Sequence, residues 1–323
     1  MFENKSMVRS FLSAILVAGA GFAANSAGAA QLSSDARTVI PYDVQQMVVI
    51  DYHIMQNSQA AMELRGQVMP PELKQLEDAL RKSGLNEASD VEQLAFILYR
   101  ADGKSDDVQT VGIAQGQFPV DDVVASLKKK RTKFTQVRTY RIYPMGNTGM
   151  SVVFLDDSTM VFGGMSAVRK SLDVRDGLAQ GLLTNNQVMD SMHTVENEPL
   201  WSVLDQKGTQ TMMKQVLGEA GTVADFDSVK KRMVASWYSM NFQHGVKFDL
   251  SVTTGDNFSA ATVSSLMNAA VLYKKMSGTD TDKAALADTT IRSNGGRLEV
   301  HFSTTDSEFV SLLKSPMFQS MVR

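Results

Sequence analysis

The second half of the chain contains two neighbouring segments, residues 236–242 and 246–253, that alternate apolar and polar side chains. The apolar members are Tyr238, Met240, Phe242, Val246, Phe248, Leu250 and Val252. A period of two is that of a β-strand with one buried face. A three-residue loop at residues 243–245 sets Phe242 opposite Val246 and keeps all apolar side chains on one face, whereas a slip of one residue buries charges. The alternation therefore predicts an antiparallel hairpin in a layered fold.

Segments with helical periodicity lie between such strands. Residues 263–271 carry apolar side chains at i, i+3, i+4, i+7 and i+8, and residues 120–127 follow a similar pattern. A further hairpin is expected at Asn294-Gly295, a pair that favours a two-residue turn, with Ile291 and Leu298 on one face. This arrangement of strands and helices favours an α+β fold, with antiparallel sheets that carry helices on one face.

The two halves of the chain have the same predicted order of elements, β-α-β-β-α-β-β-α. Short echoes accompany this order, because Val49-Ile50-Asp51 resembles Val203-Leu204-Asp205 and each lies at a strand end before a helix. The sequence therefore predicts an internal duplication. The expected organisation is a signal peptide at residues 1–30, a first α+β repeat at residues 31–180 and a second at residues 181–323.

The start of the chain has the three regions of a bacterial signal peptide. Lys5 and Arg9 form a basic start, residues 11–18 are apolar, and small residues follow. Ala27-Gly28-Ala29 and Gly28-Ala29-Ala30 both fit the small-residue rule of signal peptidase, so cleavage is expected after Ala29 or Ala30. The apolar run is too short to span a bilayer, which needs about 20 residues. The predicted address is periplasmic or secreted, without a transmembrane span after cleavage.

The chain contains no cysteine. Disulfides, thiolate catalysis, thiolate metal sites and lipid attachment to an N-terminal cysteine are therefore excluded. Stability has to come from an ordinary core, which a chain of 323 residues is long enough to bury. The formal net charge of -3 gives no argument for a nucleic-acid partner.

Three runs of residues accompany the exported start: residues 39–44 (Val-Ile-Pro-Tyr-Asp-Val), residues 112–118 (Gly-Ile-Ala-Gln-Gly-Gln-Phe) and residues 201–208 (Trp-Ser-Val-Leu-Asp-Gln-Lys-Gly). With these runs, most of the chain after the leader resembles a group of uncharacterised secreted bacterial proteins with a duplicated α+β unit. The resemblance implies the address and the repeat fold, and no known activity.

None of the candidate motifs for catalysis or metal binding in the sequence is complete. Ser-x-x-Lys occurs three times, without the companion motifs of penicillin-recognising enzymes. The four histidines are widely separated, so none has a second histidine at metal-binding spacing. Met189, Met192 and His193 are the set that would suit Cu(I), but gap filling in the core is the simpler role for methionine. We expect no catalytic residue, no cofactor and no metal ion.

A run of cations, Lys128-Lys129-Lys130-Arg131-Thr132-Lys133, ends the helix that residues 120–127 predict. Cations stabilise a helix C-terminus, so a solvated helix end is the simpler interpretation. The alternative is contact with an anionic lipid or cell-wall polymer, worth about 1 kcal/mol per cation near such a surface. The cations concerned are Lys128, Lys129, Lys130, Arg131 and Lys133.

Three functions remain open, and the one we favour is a non-catalytic exported module that binds a ligand or protein partner. Its expected contact surface is the polar face of the second-half sheet. The candidate contact residues are Trp237, Asn241, Lys247, Asp249, Glu299 and His301. Trp237 stands out because a large aromatic side chain on a polar face is typical of a contact, but cover by a loop or by the first repeat is the interpretation we favour for this residue.

The two alternatives need features that a sequence does not display. A carrier of an apolar ligand held between sheet and helices requires a large cavity. A hydrolase of unrecognised type requires ionisable groups that converge in a cleft. Asp51 and Asp205 are candidates for such a cleft because each ends an equivalent strand, but capping of the following helix is the simpler role for both.

Overall fold

The computed structural model describes residues 30–101, 107–217, 229–315 and 318. The predicted signal peptide, except for Ala30, lies outside these residues. The strands are β1 (Val44–Asp51), β2 (Val91–Arg100), β3 (Val108–Gly116), β4 (Thr135–Val137), β5 (Tyr140–Pro144), β6 (Ser151–Phe154), β7 (Thr159–Gly163), β8 (Leu200–Leu204), β9 (Met233–Asn241), β10 (Val246–Thr254), β11 (Thr289–Asn294) and β12 (Arg297–Thr304).

Helices connect most of these strands. The first-half helices are α1 (Ser34–Arg37), α2 (Tyr52–Gln56), α3 (Gln59–Val68), α4 (Pro71–Arg81), α5 (Glu87–Asp90), α6 (Val120–Lys129) and α7 (Met165–Arg175). The second-half helices are α8 (Asn186–Val195), α9 (Gln206–Leu217), α10 (Asn257–Ser277), α11 (Asp280–Ala287) and α12 (Asp306–Leu313). Within the described ranges, no helix is long and apolar enough to cross a membrane.

The described strands form one antiparallel sheet with the order β11-β12-β10-β9-β8-β1-β2-β3-β7-β6-β5-β4. The prediction of an α+β fold with antiparallel pairing is confirmed. The halves do not form separate sheets, because β1 pairs with β8 and places Val48 opposite Ser202. Both strands are buried on both faces. An unpaired edge of either strand would leave backbone N–H and C=O groups without hydrogen-bond partners, and the pairing of β1 with β8 removes both edges.

Side chains on both faces of the sheet are buried, and each face has its own core layer. The first core layer contains the apolar faces of β9, β10 and β12 together with residues of α2, α3, α4, α6, α9, α10 and α12. The second core layer contains residues of α1, α7 and α8, packed on the central strands and the first-half strands. The expectation of helices on one face is therefore wrong for the first half. Strands such as β1 and β2 have apolar residues in consecutive positions, so both of their faces need a cover.

The register of the β9–β10 hairpin follows the predicted three-residue loop. Met240 lies opposite Phe248 and Tyr238 lies opposite Leu250. His244 and Gly245 have φ angles of 60° and 98°, the left-handed region that such a loop uses. The seven apolar side chains that the alternation placed on one face consequently enter the first core layer: Tyr238, Met240, Phe242, Val246, Phe248, Leu250 and Val252.

The β11–β12 turn lies one residue later than predicted. Asn294 pairs with Arg297, so the two central residues are Gly295 and Gly296, with φ angles of 55° and 78°. A type I′ turn needs positive φ at both central positions, and two glycines adopt it with less strain than asparagine and glycine. Ile291 and Leu298 nevertheless face the same core layer, as expected.

The strand order is similar on the two sides of the β1–β8 pair. Outward from that pair, the first half has the order β1-β2-β3-β7-β6 and the second half has β8-β9-β10-β12-β11. The closing helices differ, because α7 belongs to the second core layer and α12 to the first. A common origin of the halves, and the domain boundary at residue 180, stay predictions.

A buried polar network lies where the halves meet. The Gln46 Nε2 atom donates to Ser202 Oγ and to Tyr238 Oη, each at 3.3 Å. Burial raises the pKa of Tyr238 to about 12. These hydrogen bonds hold the three strands β1, β8 and β9 in register. If one strand slips, its buried polar side chain loses its hydrogen-bond partner.

The N-terminal segment is part of the second core layer. Ala30 is completely buried, and its backbone N–H donates to Glu198 O at 3.2 Å. The carbonyl of Ala30 accepts a hydrogen bond of 2.8 Å from the indole Nε1 of Trp201, which is also completely buried. Residues from Ala30 onward thus cover one face of the central strands.

Candidate functional site

The structure brings all six candidate contact residues onto one face of β9, β10 and β12. Lys247 lies opposite Asn241, and Asp249 lies opposite His301. Ser251 lies between Trp237 on one side and Glu299 on the other. We call this surface the contact face; it consists of Trp237, Asn241, Lys247, Asp249, Glu299 and His301.

The contact face is open in the described part of the chain. The second core layer includes no residue of β10, β11 or β12, and the helix packed on these strands, α10, enters the first core layer on the opposite side. In the first half, the same face of the sheet is covered by α7 and by the segment that begins at Ala30. The first-half strands and β8 are therefore covered on both faces, whereas β10 and β12 present polar, partly exposed side chains on this face.

His301 and Asp249 form a close pair at the centre of the contact face. The distance from His301 Nδ1 to Asp249 Oδ1 is 2.6 Å, and the two side chains are 44% and 39% exposed. This contact holds the imidazole in one orientation and leaves its Nε2 atom for a partner. In the described residues no serine or threonine hydroxyl hydrogen-bonds to His301, although Thr290 lies opposite it on β11.

Two charges of opposite sign on the contact face are free in the described part of the chain. Neither Lys247 nor Glu299 forms an ion pair there, and both side chains are partly exposed. Asn241 differs, because its Nδ2 atom donates to Glu198 Oε2 at 3.3 Å and its Oδ1 atom accepts from the Gln243 backbone at 2.9 Å. Lys247 and Glu299 are consequently available to a partner, whereas Asn241 stabilises the β9 end.

Trp237 lies at the boundary between the open and covered parts of the sheet. It is partly buried and packs against the second core layer, next to α8. Gln187 of α8 also reaches β9, where its Nε2 atom donates to Val234 O at 3.4 Å. The aromatic ring is thus supported on one side by the covered half and is exposed on the other, as interface aromatic residues often are.

Neighbouring small hydroxyls that the sequence pattern did not single out complete the surface. Ser239 lies opposite Asp249, and Ser251 lies between Trp237 and Glu299. Both serines are buried. The strand alternation could have identified both serines, because it places them on the same face of the sheet as Asp249.

The two aspartates of the hydrolase alternative do not converge. Asp51 Oδ1 accepts from the backbone N–H of Ile54 at 2.8 Å, and Asp205 Oδ1 accepts from Gly208 at 2.8 Å, so each caps a helix as expected. Because β1 and β8 are antiparallel, the residues lie at opposite ends of the strand pair. Burial raises the pKa of Asp205, while the Gly208 N–H and Arg100, at 2.6 Å, oppose that rise.

The methionine and histidine set also has structural roles. Met192 is completely buried in the second core layer, and Met189 packs against that layer. His193 Nδ1 lies 2.9 Å from Glu196 Oε1 on the same helix. In the described residues no group of three or more histidine, aspartate or glutamate side chains is placed to bind a metal ion.

A shallow surface depression lies at the end of β3, away from the contact face. It is lined by Asp90, Gly116, Gln117, Phe118, Pro119, Asp157 and Ser158. Its backbone groups are already paired, because Gln117 N–H donates to Asp90 O at 2.9 Å and Phe118 N–H donates to Asp157 O at 2.7 Å. The depression lies outside the interior between sheet and helices where the carrier alternative needs a cavity, and that alternative stays a prediction.

No known protein family matches the chain, and no curated protein matches it. Solved structures of the protein TP0453 are similar. Crystal form I has a TM-score of 0.49 and 11% identity, over 88% of this chain and 96% of that chain. Crystal form III has a TM-score of 0.48 and 10% identity, over 88% and 99% of the two chains, and crystal form IV has 0.44 and 10%, over 86% and 96%. The similarity carries no information on activity or partner.

Proposed function

We propose that the chain is an exported, non-catalytic binding module that engages a partner through the contact face. The observation that carries the proposal is the asymmetry of the sheet: the second core layer covers this face over the first-half strands, β8 and Trp237 of β9, and within the described residues it includes no side chain of β10, β11 or β12. A partly exposed polar sheet face, with an aromatic residue at its border and charges at its centre, is typical of an interaction site.

The charges of the contact face favour a polar protein surface as the partner. Lys247 and Glu299 supply one free charge of each sign, and the His301–Asp249 pair adds a fixed donor and acceptor arrangement. A polyanion would be repelled by Asp249 and Glu299, and an apolar ligand would strip water from all four groups without replacing it. A protein surface that carries charges of both signs can pair with Lys247 and with Glu299 at the same time.

A photo-crosslinking amino acid at position 247 tests this proposal. In the source bacterium, the Lys247 variant should give a reproducible adduct with one partner. The matched control is the same amino acid at Arg169, an exposed position on α7, the helix that covers the equivalent face of the first half. Glu299→Lys should abolish the adduct and leave thermal stability unchanged. Equal adducts at positions 247 and 169, or an adduct that survives Glu299→Lys, would refute the contact face as the binding surface.

Export is the second component of the proposal, and the contacts of Ala30 support one cleavage site over the other. Cleavage after Ala29 keeps the Ala30 carbonyl that accepts from the Trp201 indole at 2.8 Å. Cleavage after Ala30 removes this carbonyl and leaves a buried indole N–H without its partner, which costs about 1–3 kcal/mol.

We therefore propose cleavage after Ala29. Intact-mass and N-terminal sequencing measurements on the periplasmic protein should give a chain that begins with Ala30. A chain that begins with Gln31, or one that keeps residues 1–29, would contradict the assignment.

A further inference from the structure

The cations after α6 lie at the opposite end of the sheet from the contact face. Strands β4 and β5 form one edge of the sheet, whereas β12 and β10 lie near the other edge. Lys128 and Lys129 occupy the last turn of α6, and Arg131 and Lys133 follow in the connection to β4. All four side chains are exposed. The two surfaces are thus separated by most of the width of the sheet.

The side chains of these four cations have no ion-pair or hydrogen-bond partner among the described residues, unlike those of two neighbours. Lys130 is occupied, because its Nζ atom donates to Lys82 O at 2.6 Å and lies 3.3 Å from Ser83 Oγ. Arg138 is occupied as well, because it pairs with Asp173 at 2.9 Å and also with Asp176. Lys130 and Arg138 therefore stabilise the local structure. The other four cations are available to an external partner: Lys128, Lys129, Arg131 and Lys133.

The structure adds an aromatic residue and a fifth cation that the linear run did not contain. Arg141 of β5 lies opposite Gln136 of β4, and its guanidinium lies 5.1 Å from the ring centroid of Phe134. Phe134 is 47% exposed, and its inner side packs on Tyr143 with ring centroids 5.8 Å apart. We call Lys128, Lys129, Arg131, Lys133, Phe134 and Arg141 the cationic patch.

Arg131 occupies a position that suits glycine better. It has a φ angle of 55°, and it ends α6 in a Schellman arrangement, in which Thr132 N–H donates to Leu127 O at 3.0 Å. A left-handed residue with a side chain is less stable there than glycine. The chain thus keeps a cation at a strained position, which a solvated helix end does not require.

We infer that the cationic patch docks the protein on an anionic phospholipid bilayer. Five cations that lack carboxylate partners are concentrated in one place on a chain whose formal net charge is -3, so the attraction is local and directed. The exposed ring of Phe134 between these cations suits the interface between headgroups and acyl chains, where amphipathic sites place aromatic residues. A soluble anionic polymer would use the charges and would have no need for the ring.

Vesicle flotation tests the inference, with the protein purified from the periplasm of an expression host so that the leader is removed. The protein should float with vesicles of phosphatidylcholine and phosphatidylglycerol, and not with phosphatidylcholine alone. Binding should weaken as salt increases, because exposed charges are screened. Lys129→Gln with Lys133→Gln should reduce the affinity about 30-fold, at about fivefold per cation.

Three variants separate docking from folding. Lys231→Gln with Arg297→Gln removes the same charge from exposed positions of the second half and should leave binding unchanged to within twofold. Arg131→Gly should raise thermal stability and reduce affinity about fivefold, so a loss of binding there is not a loss of fold. Phe134→Ala should weaken binding to vesicles and leave binding to soluble polyphosphate unchanged.

Some outcomes would overturn the inference. Equal flotation with neutral vesicles, or equal loss of binding in the control variant, would show that the patch is not the docking site. Binding to polyphosphate that exceeds binding to vesicles and is insensitive to Phe134→Ala would assign the patch to a soluble polymer instead of a bilayer.

Discussion

The chain has two tryptophans, and the structure gives them opposite environments. Trp201 of β8 is completely buried in the second core layer, where its indole donates to Ala30 O at 2.8 Å. Trp237 of β9 is only partly buried, at the border of the contact face. Replacement of each tryptophan by phenylalanine keeps an aromatic ring in place. The change in the free energy of unfolding then measures how much each environment contributes to stability.

The expected loss for Trp201→Phe has two components. Removal of the indole N–H leaves the buried carbonyl of Ala30 without its donor, which costs about 1–3 kcal/mol. The smaller ring leaves a gap of about 40 Å³, which adds about 1 kcal/mol at the usual cost per volume of cavity. Trp201→Phe should therefore destabilise the protein by about 2–4 kcal/mol. Trp237→Phe loses neither a buried hydrogen bond nor an enclosed volume, and about 1 kcal/mol or less is expected.

Urea denaturation followed by circular dichroism measures both free energies of unfolding. Each variant also leaves a single tryptophan, so its fluorescence reports one environment. Emission from Trp201, in the Trp237→Phe variant, should be blue-shifted and insensitive to acrylamide. Emission from Trp237, in the Trp201→Phe variant, should be red-shifted relative to it and more easily quenched.

A larger destabilisation from Trp237→Phe than from Trp201→Phe would refute the assignment of the covered and open faces. Equal quenching of the two tryptophans would do the same. Either result would mean that the N-terminal segment does not cover β8, or that Trp237 is covered as completely as Trp201, and the contact face would lose its border.

Other substitutions test the close contacts and caps of the fold. Gly116→Ala should destabilise by about 3 kcal/mol, because a Cβ there lies 1.9 Å from Asp90 O, whereas Gly66→Ala in α3 meets no atom and should stabilise by about 0.5–1 kcal/mol; thermal melts compare the two. Thr305→Ala should cost about 1 kcal/mol by removing the capping box of α12, measured by urea denaturation. The Thr305 hydroxyl is the main group that holds the pKa of Glu308 below its ordinary value of 4.5, so the stability from this pair is present above that value and is lost as the pH falls through the lower folded-state pKa. Thr305→Ala should therefore make stability less dependent on pH in the acid range.

The elements that alternate cleanly were predictable from the sequence. The alternation from Tyr238 to Val252 predicted both the register of the hairpin and the face that is buried. With a period of two, one register alone buries the apolar side chains and no charge. The positions of the contact-face residues followed from the same alternation. The β11–β12 turn was misplaced by one residue, since Asn294-Gly295 and Gly295-Gly296 both suit a type I′ turn and local preference does not decide between them.

Features that depend on distant residues were not accessible from the sequence. Largely apolar strands such as β1 and β8 indicate that both faces are buried, but not which helix covers each face or that the two strands pair. The cationic patch is similar, because the linear run suggested five cations, and only the fold removes Lys130 from that set and adds Arg141 and Phe134 to it.

One continuous sheet joins the two halves of the chain through the pairing of β1 with β8. The chain has no cysteine, so an engineered pair is free of competing thiols. Val48 and Ser202 lie directly opposite each other, so Val48→Cys with Ser202→Cys should form an intramolecular disulfide under mild oxidation, and mass spectrometry should find no thiol for alkylation. Val48→Cys with Val203→Cys, one residue away and on the other face, should stay reduced. Disulfide formation in the second pair and not in the first would contradict the continuous sheet.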